Sequence, residues 1–197
     1  YYSGVDLFFL NLEGSFIIFD ISKNKNYIPV LHGGEINELI NNHSLRYEVF
    51  TRPKIKKILD NAKAITSVSR SQIQNLPEKY KKKTVVIPNG IDSKIFRPIK
   101  TIKQKSNVVL FVGRYIELKG IKEILSVAKQ LPQYEFWFAG QGPLSNEIRG
   151  ENIRNLGFKS TENLVELYNQ ATICIFPSWH ESFGLVGLES MACGRAV

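Results

Sequence analysis

The chain has 197 residues, 43% of them apolar and 22% charged, with two cysteines and a formal net charge of +8. That composition is ordinary for one globular domain or two small ones with a real core. No apolar stretch approaches the ~18 residues that span a bilayer, and two cysteines make no disulfide framework, which points to a reducing compartment. The charge is uneven: residues 1–105 hold 18 Lys and Arg against 9 acids, whereas residues 106–197 hold 8 against 9. The basic part therefore asks for an anionic partner, whether a membrane surface, an acidic acceptor or nucleic acid.

In chain order the first apolar runs are Val5 to Leu10, interrupted by Asp6, and Tyr27 to Leu31, which is followed by His32-Gly33-Gly34. Asp6, Glu13 and Asp20 break the N-terminal apolar region, which does not read as a signal peptide. Ile55, Ile58, Leu59 and Ala62 fall at helical spacing, and the same helix carries Lys54, Lys56 and Lys57, with Lys63 just beyond. Strands are predicted at Ile65 to Val68 and at Thr84 to Ile87, on either side of the basic run Lys79 to Lys83. A charged, strand-poor stretch around Ser93 to Ser106 follows. We place the boundary there: a first domain over 1–97, a linker over 98–106 and a second domain over 107–197.

The second part repeats the pattern. Asn107 to Val112 reads as a strand and runs into Gly113-Arg114; a helix follows with Ile121, Ile124, Leu125 and Ala128 on its inner face. Glu135 to Ala139 precedes Gly140-Gln141-Gly142-Pro143, a strand near Ile153 precedes Gly157-Phe158-Lys159, and Thr172 to Phe176 precedes Pro177-Ser178. Leu185 to Cys193 is helical, with Gly194 suited to close it. Strands that are apolar throughout, alternating with helices, predict an α/β fold with parallel sheets covered on both faces. Ligands of such sheets bind at the C-terminal strand ends, where the small and polar residues lie.

The chemistry gathers near the C-terminus. Glu181 lies just before the last helix and Glu189 about a turn inside it; Gly184 marks its start, where free backbone N–H groups and the dipole face an anion. A carboxylate beside such a terminus suits a ligand with both phosphates and hydroxyls, such as a nucleotide sugar. Arg114 and Lys119 leave a strand end ahead of Gly120 and suit a diphosphate. The plainer alternatives are solvated surface charges and an ordinary helix-end carboxylate. Gly140-Gln141-Gly142 either approaches a phosphate or makes a tight turn with Pro143 at the first helical position. No His, Cys or carboxylate cluster has metal-ligand spacing.

The run Pro177-Ser178-Trp179-His180-Glu181-Ser182-Phe183-Gly184, with Glu189 eight positions after Glu181, resembles the retaining glycosyltransferases of family four. Val86-Ile87-Pro88-Asn89-Gly90-Ile91-Asp92 with Phe96-Arg97-Pro98, and Val112-Gly113-Arg114 with Lys119-Gly120, extend the resemblance in order. The resemblance implies a GT-B fold, two Rossmann-like parallel-sheet domains facing a cleft, both incomplete here, so the chain reads as an internal fragment whose activity by itself is open. It further implies that Arg114 and Lys119 hold the diphosphate, with the backbone of Gly184 and Leu185 cradling a phosphate. Glu189 would bind the ribose and Glu181 the transferred sugar, while the loop at Phe158 would meet the base. His32 would reach the sugar from the first domain, unless it only shapes its glycine turn. His43 and His180 are given structural roles. Ala196 departs from the family, which usually has Pro before Val.

The expected co-substrate is a nucleoside-diphosphate sugar, with no cofactor and no metal, and the acceptor is a hydroxyl of a glycan, lipid or small molecule. The family's acceptor attacks from the leaving-group side and the departing phosphate takes its proton. The lysines of the first part suit anionic lipid headgroups, as in membrane-docked relatives, but are read first as a solvated face; nucleic acid ranks last, for want of interleaved aromatics. The expected location is cytoplasmic, with peripheral contact at the inner membrane face the variant. A dinucleotide-binding dehydrogenase is the rival enzyme, and Gly140-Gln141-Gly142 lacks its third glycine. A non-catalytic nucleotide-sugar or polyanion-binding relative is the other rival.

Overall fold

The computed structural model of the chain describes residues 8–11, 27–31, 52–74 and 76–197. It divides into two compact units, Tyr1–Asn89 and Gly90–Val197. In the first, β1 (Phe8–Asn11), β2 (Tyr27–Leu31), β3 (Ile65–Ser67) and β4 (Thr84–Val86) form one parallel sheet in that order. The helix α1 (Arg52–Asn61) admits Pro53 in its first turn, where a missing N–H leaves no bond unmade. Its Leu59, with Ile55 and Ile58, packs on Leu31, Ile65, Leu76 and Tyr80. Short helices α2 (Arg70–Ile73) and α3 (Glu78–Lys81) complete the unit as described.

The basic run has structural partners. Lys79 pairs with Asp60 at 2.5 Å and lies over the Tyr80 ring, and Lys81 pairs with Glu78 at 2.8 Å. Lys83 donates to the carbonyls of Asp60 (3.1 Å) and Ala62 (2.9 Å), where unsatisfied acceptors at the end of α1 gather. Lys82 is left exposed, as are Lys56, Lys57 and Lys63.

The second unit holds β5 (Val108–Val112), β6 (Glu135–Ala139), β7 (Ile153–Gly157) and β8 (Ile173–Ile175), all parallel in the order β7-β6-β5-β8. Alternate residues of β5 face opposite cores. Val109 and Phe111 pack with Ile121, Ile124 and Ala128 of α4 (Ile121–Gln130), while Val108 and Leu110 pack with Trp137, Tyr168, Cys174 and Cys193. Tyr168 belongs to α5 (Thr161–Gln170), which starts where the Ser160 hydroxyl accepts from the Asn163 N–H. The last helix, α6, spans Leu185–Ala192. Both cysteines are buried and free. Beyond α6, Ala196 bridges to Ile173 in parallel beside β8, and its carbonyl accepts from the Cys174 N–H at 3.0 Å.

The segment expected as a linker is bound into this second unit. The side chain of Asn169, 2% exposed, accepts from the Ile99 N–H at 2.7 Å and donates to the Arg97 and Val165 carbonyls. Lys105 N–H donates to Gln170 O at 2.9 Å, and Phe96 meets the Tyr168 ring edge-on at 6.2 Å. The division at 89/90 thus falls ahead of the charged stretch, because backbone groups of 97–105 find their partners on α5.

Asn152 makes a comparable clamp. Its amide nitrogen lies 2.9, 3.2 and 3.0 Å from the carbonyls of Ala128, Leu131 and Tyr134, closing the end of α4 and the turn to β6. Asn152→Ala removes this donor from Tyr134 O, while Ala128 O and Leu131 O keep backbone N–H donors, and is expected to cost about 1–2 kcal/mol. A urea titration reads it as a lower midpoint with an unchanged slope.

Candidate functional site

In the order β7-β6-β5-β8, the connections from β5 and β8 leave in opposite directions along the sheet. In open α/β sheets, ligands bind outside the C-terminal strand ends at such a switch point. Two connections border it: Gly113–Gly120, from β5 to α4, and Phe176–Gly184, from β8 to α6.

The first connection is built tightly. Gly113 N–H donates to Ala139 O at 3.0 Å, and Tyr115 N–H to Gln141 O at 2.9 Å. Tyr115 is fully buried and donates its hydroxyl toward Phe138 O (2.8 Å) and Asn155 Oδ1 (3.2 Å); burial pushes its phenol far above the usual range. Gly140 lies so close that a Cβ there would be 1.9 Å from Gly113 O, and one on Gly142 would be 2.6 Å from Tyr115 O. The Gly140-Gln141-Gly142 turn therefore serves packing against the Gly113–Tyr115 loop, and Pro143 opens a short 3₁₀ turn over Pro143–Glu147. Arg114 projects from this anchored loop and is exposed.

The second connection meets the first at Gly120, whose φ of +69° turns the chain into α4. A Cβ there would be 2.4 Å from Pro177 O. Trp179 N–H donates to Leu118 O at 3.0 Å. Across this contact Lys119 Nζ pairs with Glu181 Oε1 at 2.5 Å, and the Ser178 hydroxyl donates to the same oxygen at 2.8 Å. Both charged side chains are partly sheltered, 20% and 32% exposed. Trp179 itself is 75% exposed.

Gly184, with φ +80°, turns the chain into α6, and among the described residues no side chain caps that start. Phe176 packs beneath it, since a Cβ on Gly187 would be 2.8 Å from its ring. The first amides of α6 are thus left to solvent or to an anion. One turn on, Glu189 Oε2 accepts the Tyr168 hydroxyl at 2.6 Å. Burial raises the Glu189 carboxyl above the usual range, and the Tyr168 hydrogen bond opposes that rise.

Of the residues expected from sequence, the structure brings Lys119 and Glu181 into direct contact, and sets Arg114 and Gly184 on the two connections that leave the switch point. Glu189 sits on α6, Leu185 in its first turn, and Phe158, 72% exposed, just past Gly157 at the end of β7. His32 and His43 lie outside the described residues. Ser178 and Tyr168 were not singled out by the sequence. A serine after a strand and an aromatic at Leu164, Val165, Tyr168 spacing both read as ordinary framework. Among the described residues no three His, Cys, Asp or Glu side chains gather as a metal site, and no helix is long and apolar enough to cross a membrane.

The family described as "Glycosyl transferases group 1" matches residues 92–197. An uncharacterized glycosyltransferase of Methanocaldococcus jannaschii is 29% identical over 89% of this chain and 50% of its own length. The D-inositol 3-phosphate glycosyltransferase of Mycolicibacterium smegmatis is 26% identical over 90% of this chain and 48% of its own. The chain thus spans about half the length of these curated relatives. Among solved structures, the sucrose-phosphate synthase of Thermosynechococcus elongatus superposes with a TM-score of 0.68 at 27% identity, over 86% of this chain and 48% of that one. Anabaena HepE, in complex with UDP and glucose, has the same TM-score at 19% identity, over 86% and 51%. The architecture is α/β of the GT-B class, with a Rossmann-like parallel sheet in each unit.

Proposed function

The chain belongs to the glycosyl transferases of group 1, and on that premise we propose that its parent protein is a retaining, metal-independent family-four enzyme. It moves a sugar from a nucleoside diphosphate to a hydroxyl acceptor. The observation that carries this reading is the contact between the β5 and β8 connections at the switch point. An ammonium (Lys119) and a carboxylate (Glu181) meet there, and the connection that carries Glu181 ends at an uncapped helix start (Gly184), a set suited to a ligand with phosphates and sugar hydroxyls. The bound neighbour HepE, with UDP and glucose, agrees with such a ligand.

In this reading Arg114, Lys119 and the backbone N–H groups of Gly184 and Leu185 hold the diphosphate. Glu189 takes the ribose hydroxyls, the loop at Phe158 takes the base, and Glu181 takes the donor sugar. Transfer breaks the bond between the anomeric carbon and the phosphate oxygen and forms one to the acceptor oxygen on the same face. The acceptor proton passes to the departing phosphate. The cations matter most here, since charge grows on the leaving group as the bond breaks. A cytoplasmic setting fits this reading, with peripheral contact at the inner membrane face as the variant.

The test is calorimetry of the full-length protein against UDP, GDP, ADP and NAD without added metal. One nucleoside diphosphate should bind, and Glu189→Ala and Arg114→Ala should each weaken it about tenfold or more, the equivalent of one charge-assisted hydrogen bond. Binding of NAD alone, or of no nucleotide, would overturn the reading. Binding without transfer from any donor would leave the non-catalytic relative in its place.

A further inference from the structure

Glu189 has a conflict to resolve. A carboxylate that grips ribose hydroxyls must be ionised and aimed, yet burial on α6 favours its protonated form. Tyr168 faces it from α5, Cys174 lies on β8, and Cys193 and Arg195 follow α6. Burial raises both thiols, Cys174 to about 11, so they stay neutral through the physiological range. Arg195 is turned to the Cys193 carbonyl, to which its Nε donates at 3.3 Å.

Among the described residues, the donor that reaches it is the Tyr168 hydroxyl, 2.6 Å from Glu189 Oε2. Tyr168 is fully buried, held edge-on by Phe96 and flanked by Asn169, which ties α5 to 97–99. The phenol therefore has one fixed direction, and it occupies one carboxylate oxygen while leaving Oε1 for a ligand.

We propose that Tyr168 is a positioning residue for the donor site, whose hydroxyl holds the Glu189 carboxylate ionised and aims its second oxygen at the ribose. The inference rests on the ribose role proposed for Glu189. It assigns to α5 a part in donor binding that its buried aromatic face conceals. The bond favours the charged form of Glu189, so removing it leaves burial unopposed and moves the acid limb of donor affinity to higher pH.

The experiment is a titration of the full-length protein and its Tyr168→Phe variant with whichever of UDP, GDP or ADP the unaltered protein binds, from acid to neutral pH. Ionisation of the ligand is common to both proteins and cancels in their ratio. Tyr168→Phe is expected to weaken binding about tenfold near neutral pH, with the gap widening as pH falls. In transfer assays KM for the donor should rise while kcat stays nearly constant. The same change made in a Glu189→Gln background should have no further effect on affinity, because the ionisable partner is already gone. An equal loss in both backgrounds, or an unchanged pH profile beside a lowered melting temperature, would make Tyr168 mere framework and overturn the inference. Failure of the unaltered protein to bind any of the three would instead overturn the donor-site reading.

Discussion

Gly140→Ala is expected to cost about 3–5 kcal/mol, in the upper tail of single substitutions, because nothing near it can yield cheaply. The new Cβ would stand 1.9 Å from Gly113 O, 2.9 Å from Gly113 C and 3.1 Å from the Tyr115 ring, and the φ of +156° is one that L side chains rarely adopt. Relief requires the Gly113–Tyr115 loop to move by more than an ångström. That movement would strain Gly113 N–H to Ala139 O, Tyr115 N–H to Gln141 O and Leu144 N–H to Tyr115 O, and would pull the Tyr115 hydroxyl from Phe138 O and Asn155. Calorimetric melting of the full-length protein should show a fall of about 10–20 °C, at roughly 4 °C per kcal/mol for a unit of this size. Molecules that remain folded should also bind nucleotide at least tenfold more weakly, because Arg114 rides on the displaced loop and misplacement of an ångström is severe. A variant that melts and binds like the unaltered protein would mean that this loop is not the rigid platform its hydrogen bonds describe.

Much of this platform was legible in the sequence. The runs Tyr27 to Leu31 and Glu135 to Ala139 coincide with β2 and β6, and Asn107 to Val112 and Thr172 to Phe176 overrun β5 and β8 by a residue or two at their ends. Apolar β-branched runs bounded by glycine and proline carry that signal locally, and so does the helical spacing of Ile121, Ile124 and Ala128. The places where sequence fell short are tertiary. Lys100, Lys103 and Lys105 make 98–106 look like solvated linker, and composition cannot show that its backbone is hydrogen-bonded by Asn169 and Gln170, some seventy residues on. The helix α5 is polar over much of its surface, so its apolar positions stand out weakly and Tyr168 reads as core. The contact of Lys119 with Glu181 joins residues 62 apart in sequence. Spacing nominated each of them, but only the meeting of the β5 and β8 connections puts them within 2.5 Å.

That meeting leads to the second large effect, Glu181→Gln, whose two readouts should move in opposite directions. Without ligand, Glu181 Oε1 holds the Lys119 ammonium at 2.5 Å and the Ser178 hydroxyl at 2.8 Å. A diphosphate entering the proposed site must draw Lys119 away from that carboxylate, and must also approach a like charge. Glutamine keeps the shape and hydrogen-bonding capacity near Ser178 but removes the negative charge. With side chains 20% and 32% exposed, solvent screens the pair, so the gain for a free nucleoside diphosphate is modest, about 1 kcal/mol or fivefold tighter binding. Transfer should nevertheless fall about 100- to 1000-fold, the scale seen when one preorganised charged group is removed from a reacting centre. Calorimetry with the diphosphate and initial rates with the nucleotide sugar measure the two arms on the same preparation. Ser178→Ala, which leaves the ion pair in place, should lower the rate far less and leave diphosphate affinity nearly unchanged. If Glu181→Gln weakened diphosphate and donor binding alike, the carboxylate would be organising Lys119 for the phosphate rather than competing for it. The sugar contact would then have to be sought on another residue of the proposed site.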